Sequence, residues 1–292
     1  MKTVNGKSIS TNKTQLKKYF WIFLLPSLIS FVVIFLWPFI HGLILSFYKF
    51  KTLKFKEFAG FSNYISAFSD VDFLRSFFLT LAYTIVTVIV INVTSLFLAI
   101  LLTSKVRGST FFRTIFFMPN LVGGIVLAYV FKALLNEIVE QLFDSQLLLN
   151  AQYGFWGLVI ILAWQQIGYM MVIYIAGISN VPQEMLEAAQ IDGAGRIQTF
   201  KNVTLPMIAP TITICLFLTI TNSFKLFDQN LALTGGLPEN KTTLLALNIY
   251  RSFYQSSTNM GIGQAKAVIF LIVVAMLSLL QVRLTRKKEV EL

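Results

Sequence analysis

The 292-residue sequence predicts an all-α integral membrane protein of six transmembrane helices, with one polar loop standing apart from them. Hydrophobic residues make up 56% of the chain and charged residues only 13%. Soluble domains carry roughly 25% charged residues, so a water-soluble fold would have too little polar surface. The apolar residues fall into runs long enough, or nearly so, to cross a hydrocarbon core about 30 Å thick. The net charge of +11 collects at the ends of those runs and not on one polar face, a pattern of membrane topology that excludes a nucleic-acid-binding module.

Residues 1–18 hold five lysines and no acid, contain too little apolar material to fold alone, and read as a cytoplasmic tail. The first span, about 20–48, is longer than the apolar core of a secretory leader and is expected to remain uncleaved. Pro26 and Pro38 should bend it. Residues 49–75 mix lysines with Glu57, Asp70 and Asp72 and read as an external loop. The second span, 76–104, carries Thr80, Thr84, Thr87, Asn92 and Thr94, which should face other helices. A basic loop with Lys105, Arg107 and Arg113 leads into the third span, 114–134. The chain then reads as an acidic external loop up to residue 153, with Glu137, Glu140 and Asp144. The fourth span, 155–178, puts Trp164, Gln165, Gln166 and Tyr169 at mid-depth, where an unpaired amide is costly, so these residues must face protein or a water-filled path.

The loop at 182–206 is a polar island. Pro182 suits a first helical turn and Glu184 and Glu187 sit near the positive end of the helix dipole. Gly193 and Gly195 should stop that helix. Met185, Ala188, Ala189 and Asp192 are spaced to share one face. A second short amphipathic piece with Ile197, Phe200, Val203 and Leu205 should end at Pro206. Such a helix–turn–helix is either a solvated surface loop or an element that docks into a groove.

The fifth span, 207–227, carries Asn222, and Lys225 and Asp228 at its end are spaced to pair on one helix face. The sixth, 267–283, is short and lies between Lys266 and Arg283, which should snorkel. Residues 285–292 form a basic tail. Six spans place both termini on one side, and the Lys and Arg of the tails and short loops assign that side, with the polar island, to the cytoplasm.

One cysteine, Cys215, and one histidine, His41, allow neither an internal disulfide nor a His/Cys metal cluster. No phosphate-binding loop, nucleophile elbow or zinc-protease helix occurs. The chain therefore reads as a non-enzyme that carries no cofactor of its own.

The run Glu187-Ala188-Ala189, Gly193, Val203, Leu205-Pro206 resembles the EAA loop of binding-protein-dependent ABC importer permeases, with Val203 in place of the usual Ile. Gly60-Phe61-Ser62-Asn63-Tyr64, Arg107-Gly108, Phe116-Phe117-Met118-Pro119 and Thr234-Gly235-Gly236-Leu237-Pro238 resemble further stretches of the same family, the last shorter by a residue or two. Together with Leu25-Pro26 they are most similar to its carbohydrate-uptake branch, the maltose-type permeases. The resemblance implies a type I, MetI-like permease domain over residues 19–284. It also implies a second homologous permease subunit, two ATPase subunits that hold ATP and magnesium, and an extracellular solute-binding protein. By the same resemblance Glu184, Glu187, Ala188, Ala189, Asp192, Gly193, Ala194, Leu205 and Pro206 belong to a coupling helix that docks on the ATPase. Asn92, Trp164, Gln165, Gln166, Tyr169 and Asn222 are then the residues available to line a sugar path, or else to make interhelical hydrogen bonds. Whether the permease pair is a heterodimer or a two-fold homodimer stays open.

A second reading, an ion-coupled secondary transporter, rests on Lys225, Asp228 and the mid-span amides as a coupling site. Against it, both charges lie near a span end and no repeated pair of broken helices is visible. A membrane scaffold without transport would not need polar residues along several spans.

Overall fold

The computed structural model describes residues 11–51, 54–103, 108–255 and 259–286. Much of both expected tails, and Lys105 and Arg107 of the basic loop, lie outside the described residues. Among the described residues five helices are long and apolar enough to cross a membrane, and a bent helix pair makes a sixth span if it is counted as one.

The first span is helical throughout: α1 (Thr11–Ser30), a π-helical turn over Phe31–Leu36, and α2 (Trp37–Leu45). It starts inside the segment read as a tail. The wider turn sits just before Pro38, where Trp37 N–H bonds to Val32 O five residues back, because a proline ring disfavours the regular turn there. The expected external loop is instead folded, and it adds the only strands among the described residues: β1 (Tyr48–Lys51) and β2 (Lys54–Phe58) pair antiparallel with Lys49 opposite Glu57. Helix α3 (Ser62–Ser69) follows. Asn63 fastens it, donating to the carbonyls of Ser46 and Tyr48 at 2.8 and 3.0 Å.

Helix α4 (Val71–Thr103, 33 residues) is about 50 Å long at 1.5 Å per residue. It exceeds the hydrocarbon core and begins well before the expected residue 76. Its chief partner is α7 (Ala151–Ser179). Tyr83, Ile91 and Ala99 of α4 meet Leu158, Ile161, Met170 and Tyr174 of α7 in the main core. Buried polar groups are paired across the same contact: Tyr83 Oη donates to Leu158 O at 3.0 Å and Ser95 Oγ to Ile167 O at 2.9 Å. Pairing of this kind is required where no water is available.

The third span is not the continuous helix expected over 114–134. It consists of α5 (Ser109–Phe117), a 3₁₀ turn over Met118–Leu121, and α6 (Gly124–Phe143), bent by 102°. Pro119 stands in the turn, and Val122 and Gly123 are extended, so no helical hydrogen bond crosses the joint. Because α6 continues to Phe143, Glu137 and Glu140 lie on helix and not in a loop. The bend presses the end of α5 against Gly168 of α7, where a Cβ would stand 1.8 Å from Phe116 O.

After the polar island, formed by α8 (Gln183–Ile191), α9 (Arg196–Thr199), a π turn over Phe200–Thr204 and α10 (Leu205–Met207), the chain re-enters the bundle as α11 (Ala209–Phe224). The amphipathic piece runs unbroken from Arg196 to Met207 and stops at Ile208, just after Pro206, and the wider π turn before Pro206 accommodates a ring that cannot donate back along the helix. Helices α12 (Asp228–Leu233), α13 (Leu245–Tyr254) and α14 (Met260–Arg286) complete the fold. The α12–α13 connection is organised by Asn230, whose amide donates to Thr234 Oγ1 and Thr242 O and accepts from Leu244 N–H. Lys266 does not snorkel. Helix α14 begins six residues before it, and Lys266 is only 3% exposed.

Candidate functional site

Two chain breaks meet beside α7. Helix α11 stops at Phe224 and α12 restarts at Asp228, leaving Lys225, Leu226 and Phe227 outside regular helix. The other break is the joint before Gly124. Irregular backbone at membrane depth is tolerated only where protein buries it or it borders water, and here it borders a cavity of about 340 Å³. Leu162, Gln165 and Gln166 of α7 form one wall, Asn222 and the Lys225–Gln229 stretch another, and Gly124 the third. The walls can approach because Gly124 lacks a side chain: a Cβ there would lie 2.9 Å from Gln229 Nε2.

The predicted polar residues separate into two groups. Gln165, Gln166 and Asn222 do meet in this cavity. Gln165 is held rigid, donating to Val122 O at 2.9 Å and accepting from Gln229 Nε2 at 2.7 Å. Gln166 and Asn222 touch at 3.4 Å and are only half-buried, which leaves hydrogen-bonding capacity for a ligand. Asn92, Trp164 and Tyr169 lie elsewhere. Asn92 bridges three helices, donating to Thr219 Oγ1 at 2.9 Å and accepting from Tyr174 Oη at 2.7 Å. Trp164 is exposed on another face against Phe131, and Tyr169 is half-buried beside Phe117.

Lys225 and Asp228 also depart from expectation. Since α11 ends between them, they do not share a helix face and no ion pair within 4 Å joins them. Both are exposed at the cavity. Sequence reasoning missed Gly124, Phe227 and Gln229 as wall residues. The signals were the Gly123-Gly124 pair and the polar run from Asn222 to Gln229.

The polar island is an elbow anchored at its ends and free between them. Val181 and Ile208 are buried, while Glu184, Glu187, Ala188, Asp192, Gly193, Arg196 and Lys201 are exposed and Ala189, Ala194, Leu205 and Pro206 half-buried. Helix α8 ends in a Schellman motif: Ala194 N–H bonds to Ala189 O at 2.9 Å and Gly193 N–H to Gln190 O at 3.1 Å. Gly193 sits at φ +77°, which glycine adopts without the cost other residues bear. Ile191 and Ile197 stand 87% and 84% exposed on either side of the turn. Apolar residues held outward on a polar elbow form a docking surface more readily than a solvated loop.

The family described as the binding-protein-dependent transport system inner membrane component matches residues 92–290. The chain belongs to this family. It is a multi-pass membrane permease subunit of an ABC importer. The probable starch degradation products transport system permease protein AmyD of Thermoanaerobacterium thermosulfurigenes is 42% identical over 281 residues, covering 94% of this permease and 96% of that one. The multiple sugar-binding transport system permease protein MsmF of Streptococcus mutans serotype c is 32% identical, covering 96% and 100%. Among solved structures, a chain of a bacterial ABC transporter that imports the acidic polysaccharide alginate superposes with a TM-score of 0.80 at 20% identity, covering 95% of this permease and 99% of that chain.

Proposed function

We propose that this permease forms half of the translocation path of an ATP-driven importer for a sugar or oligosaccharide. The observation that carries the proposal is the polar cavity between the two helix breaks, in a chain whose similar relatives are named for starch products and multiple sugars. Gln166 and Asn222 supply hydrogen bonds to cargo, Gln165 fixes their wall, and Asn92 braces α4, α7 and α11 behind it. Trp164 and Tyr169 face other stretches of the path or the partner permease.

In this reading the elbow lies in the cytoplasm with both termini. Glu184, Glu187, Ala188, Ala189, Asp192, Gly193 and Ala194 enter a groove of a separate ATPase, and Leu205 and Pro206 join the elbow to α11. ATP and magnesium are held by two such ATPase subunits, and an external solute-binding protein delivers cargo to a pair of homologous permeases. ATP shifts the pair between inward- and outward-facing states only insofar as the ATPases bind the two states with different free energies, and the elbow transmits that difference. Reconstitution of the assembled complex in proteoliposomes tests this. Labelled malto-oligosaccharide uptake should require ATP inside the ATPase-bearing compartment and be indifferent to a pH gradient. Uptake driven by the gradient without ATP would overturn it.

A further inference from the structure

The cavity does not end at its own wall. Phe227 forms part of that wall and is half-buried. Its ring lies 5.0 Å from that of Tyr250, which lies 4.7 Å from that of Tyr254. Tyr250 and Tyr254 are four residues apart on α13 and therefore share a face. The other side of α13 is fixed to the protein by Leu245 and Asn248, both buried, and buried Leu247 anchors the helix one turn before Tyr250. Exposure rises outward along the row, from half-buried Phe227 to 38% at Tyr250 and 74% at Tyr254. A core aromatic cluster would be covered, whereas this one is increasingly open.

The three rings thus make one continuous apolar strip. Its inner end stands beside Gln166, Asn222, Lys225 and Asp228, and its outer end is free. Neither tyrosine hydroxyl has a hydrogen-bond partner among the described residues, so both can bond to a ligand. Flat apolar faces flanked by unengaged polar atoms match the chemistry of sugar rings, whose axial C–H faces are apolar and whose hydroxyls point outward around the edge.

We propose that Phe227, Tyr250 and Tyr254 form an extended saccharide-binding strip that continues the cavity outward and holds successive rings of an oligosaccharide. The strip rests on the carbohydrate reading above and adds to it a preference for chain length. A two-unit sugar reaches from the cavity as far as Tyr250, while a longer chain reaches Tyr254.

The test uses the complete complex in proteoliposomes with its binding protein, and glucose oligomers of two and five units as probes. Tyr254→Ala should raise KM for the five-unit sugar about fivefold, the effect of losing one ring contact. It should leave the two-unit sugar within about twofold and kcat unchanged, and Tyr254→Phe, which keeps the ring and loses only the hydroxyl, should recover most of the affinity. Tyr250→Ala should act on both lengths, more on the longer. Equal effects of Tyr254→Ala on both lengths would mean that the ring serves docking or packing and would overturn the strip, as would no effect on either. Failure of the unaltered complex to take up either sugar with ATP would reject the carbohydrate reading itself, a result distinct from length-independent uptake.

Discussion

Lys266 Nζ lies 2.6 Å from Asp70 Oδ2, joining residues 196 positions apart. The ammonium also donates to Asn248 Oδ1 at 3.2 Å and Ser252 Oγ at 2.8 Å, and stands 5.3 Å from the centre of the Phe73 ring. Its three protons are thereby satisfied by α13 and the α3–α4 joint. The pair clamps the N-terminal ends of α4 and α14 to α13.

The two partners are unequal. Lys266 is almost fully buried, while the Asp70 side chain is 35% exposed. Asp70→Asn should therefore leave a buried cation short of a charged partner and cost about 3 kcal/mol, near the low end for breaking a buried pair. Lys266→Met leaves only a half-hydrated carboxylate and should cost less. Thermal unfolding in detergent checks the order, and a smaller loss for Asp70→Asn would contradict it.

The same pair sets an acid limit. Burial alone would raise the Asp70 pKa, but the Lys266 hydrogen bond and charge, with the N–H groups of Phe73 and Asp72, hold it below the ordinary value. A carboxylate lowered in this way contributes its full stability above its unfolded pKa of about 3.9, and the contribution fades as pH falls through the lower folded value. Stability attributable to the pair should be constant from neutral pH down to about 5 and drop below about 4. In Asp70→Asn that component of the acid loss should be absent.

At the elbow, Gly193→Val places a β-branched residue at φ +77°, a strain of about 1–3 kcal/mol. The Schellman turn should open, and ATP-driven uptake should fall by at least about tenfold while membrane insertion and the α4–α7 core stay intact. Transport assays beside a protease-protection pattern check this.

In the cavity, Asn222→Ala removes one hydrogen-bonding group and should raise KM for cargo about tenfold, equivalent to roughly 1.4 kcal/mol. Asn92→Ala breaks a bridge between helices and should lower thermal stability more than it changes KM. Measuring both quantities for both variants separates the two roles.

The sequence reveals some of these features directly and hides others for physical reasons. Uncharged runs mark the spans because a bilayer demands them, and Gly193 marks the turn because few other residues tolerate its backbone. The bend at 118–123 is hidden, since apolar residues continue on both sides of it and only Pro119 and Gly123-Gly124 betray it. The β1–β2 hairpin is hidden among lysines and phenylalanines without a tight-turn pair. Lys266 reads as a span boundary because Asp70, its partner, is distant in the chain. The cavity is half legible: Gln165, Gln166 and Asn222 stand out as polar residues in apolar runs, but only the fold separates them from Asn92, Trp164 and Tyr169.

The central claim is that the 182–206 elbow meets a separate ATPase in the cytoplasm. Ile197→Cys in a Cys215→Ala background puts one reactive thiol at a position that is 84% exposed, and a membrane-impermeant maleimide reads its compartment. The account predicts no labelling from outside intact cells, labelling in inverted vesicles stripped of the ATPase, and protection when the ATPase is restored. Labelling from outside, or equal labelling with and without the ATPase, would contradict it.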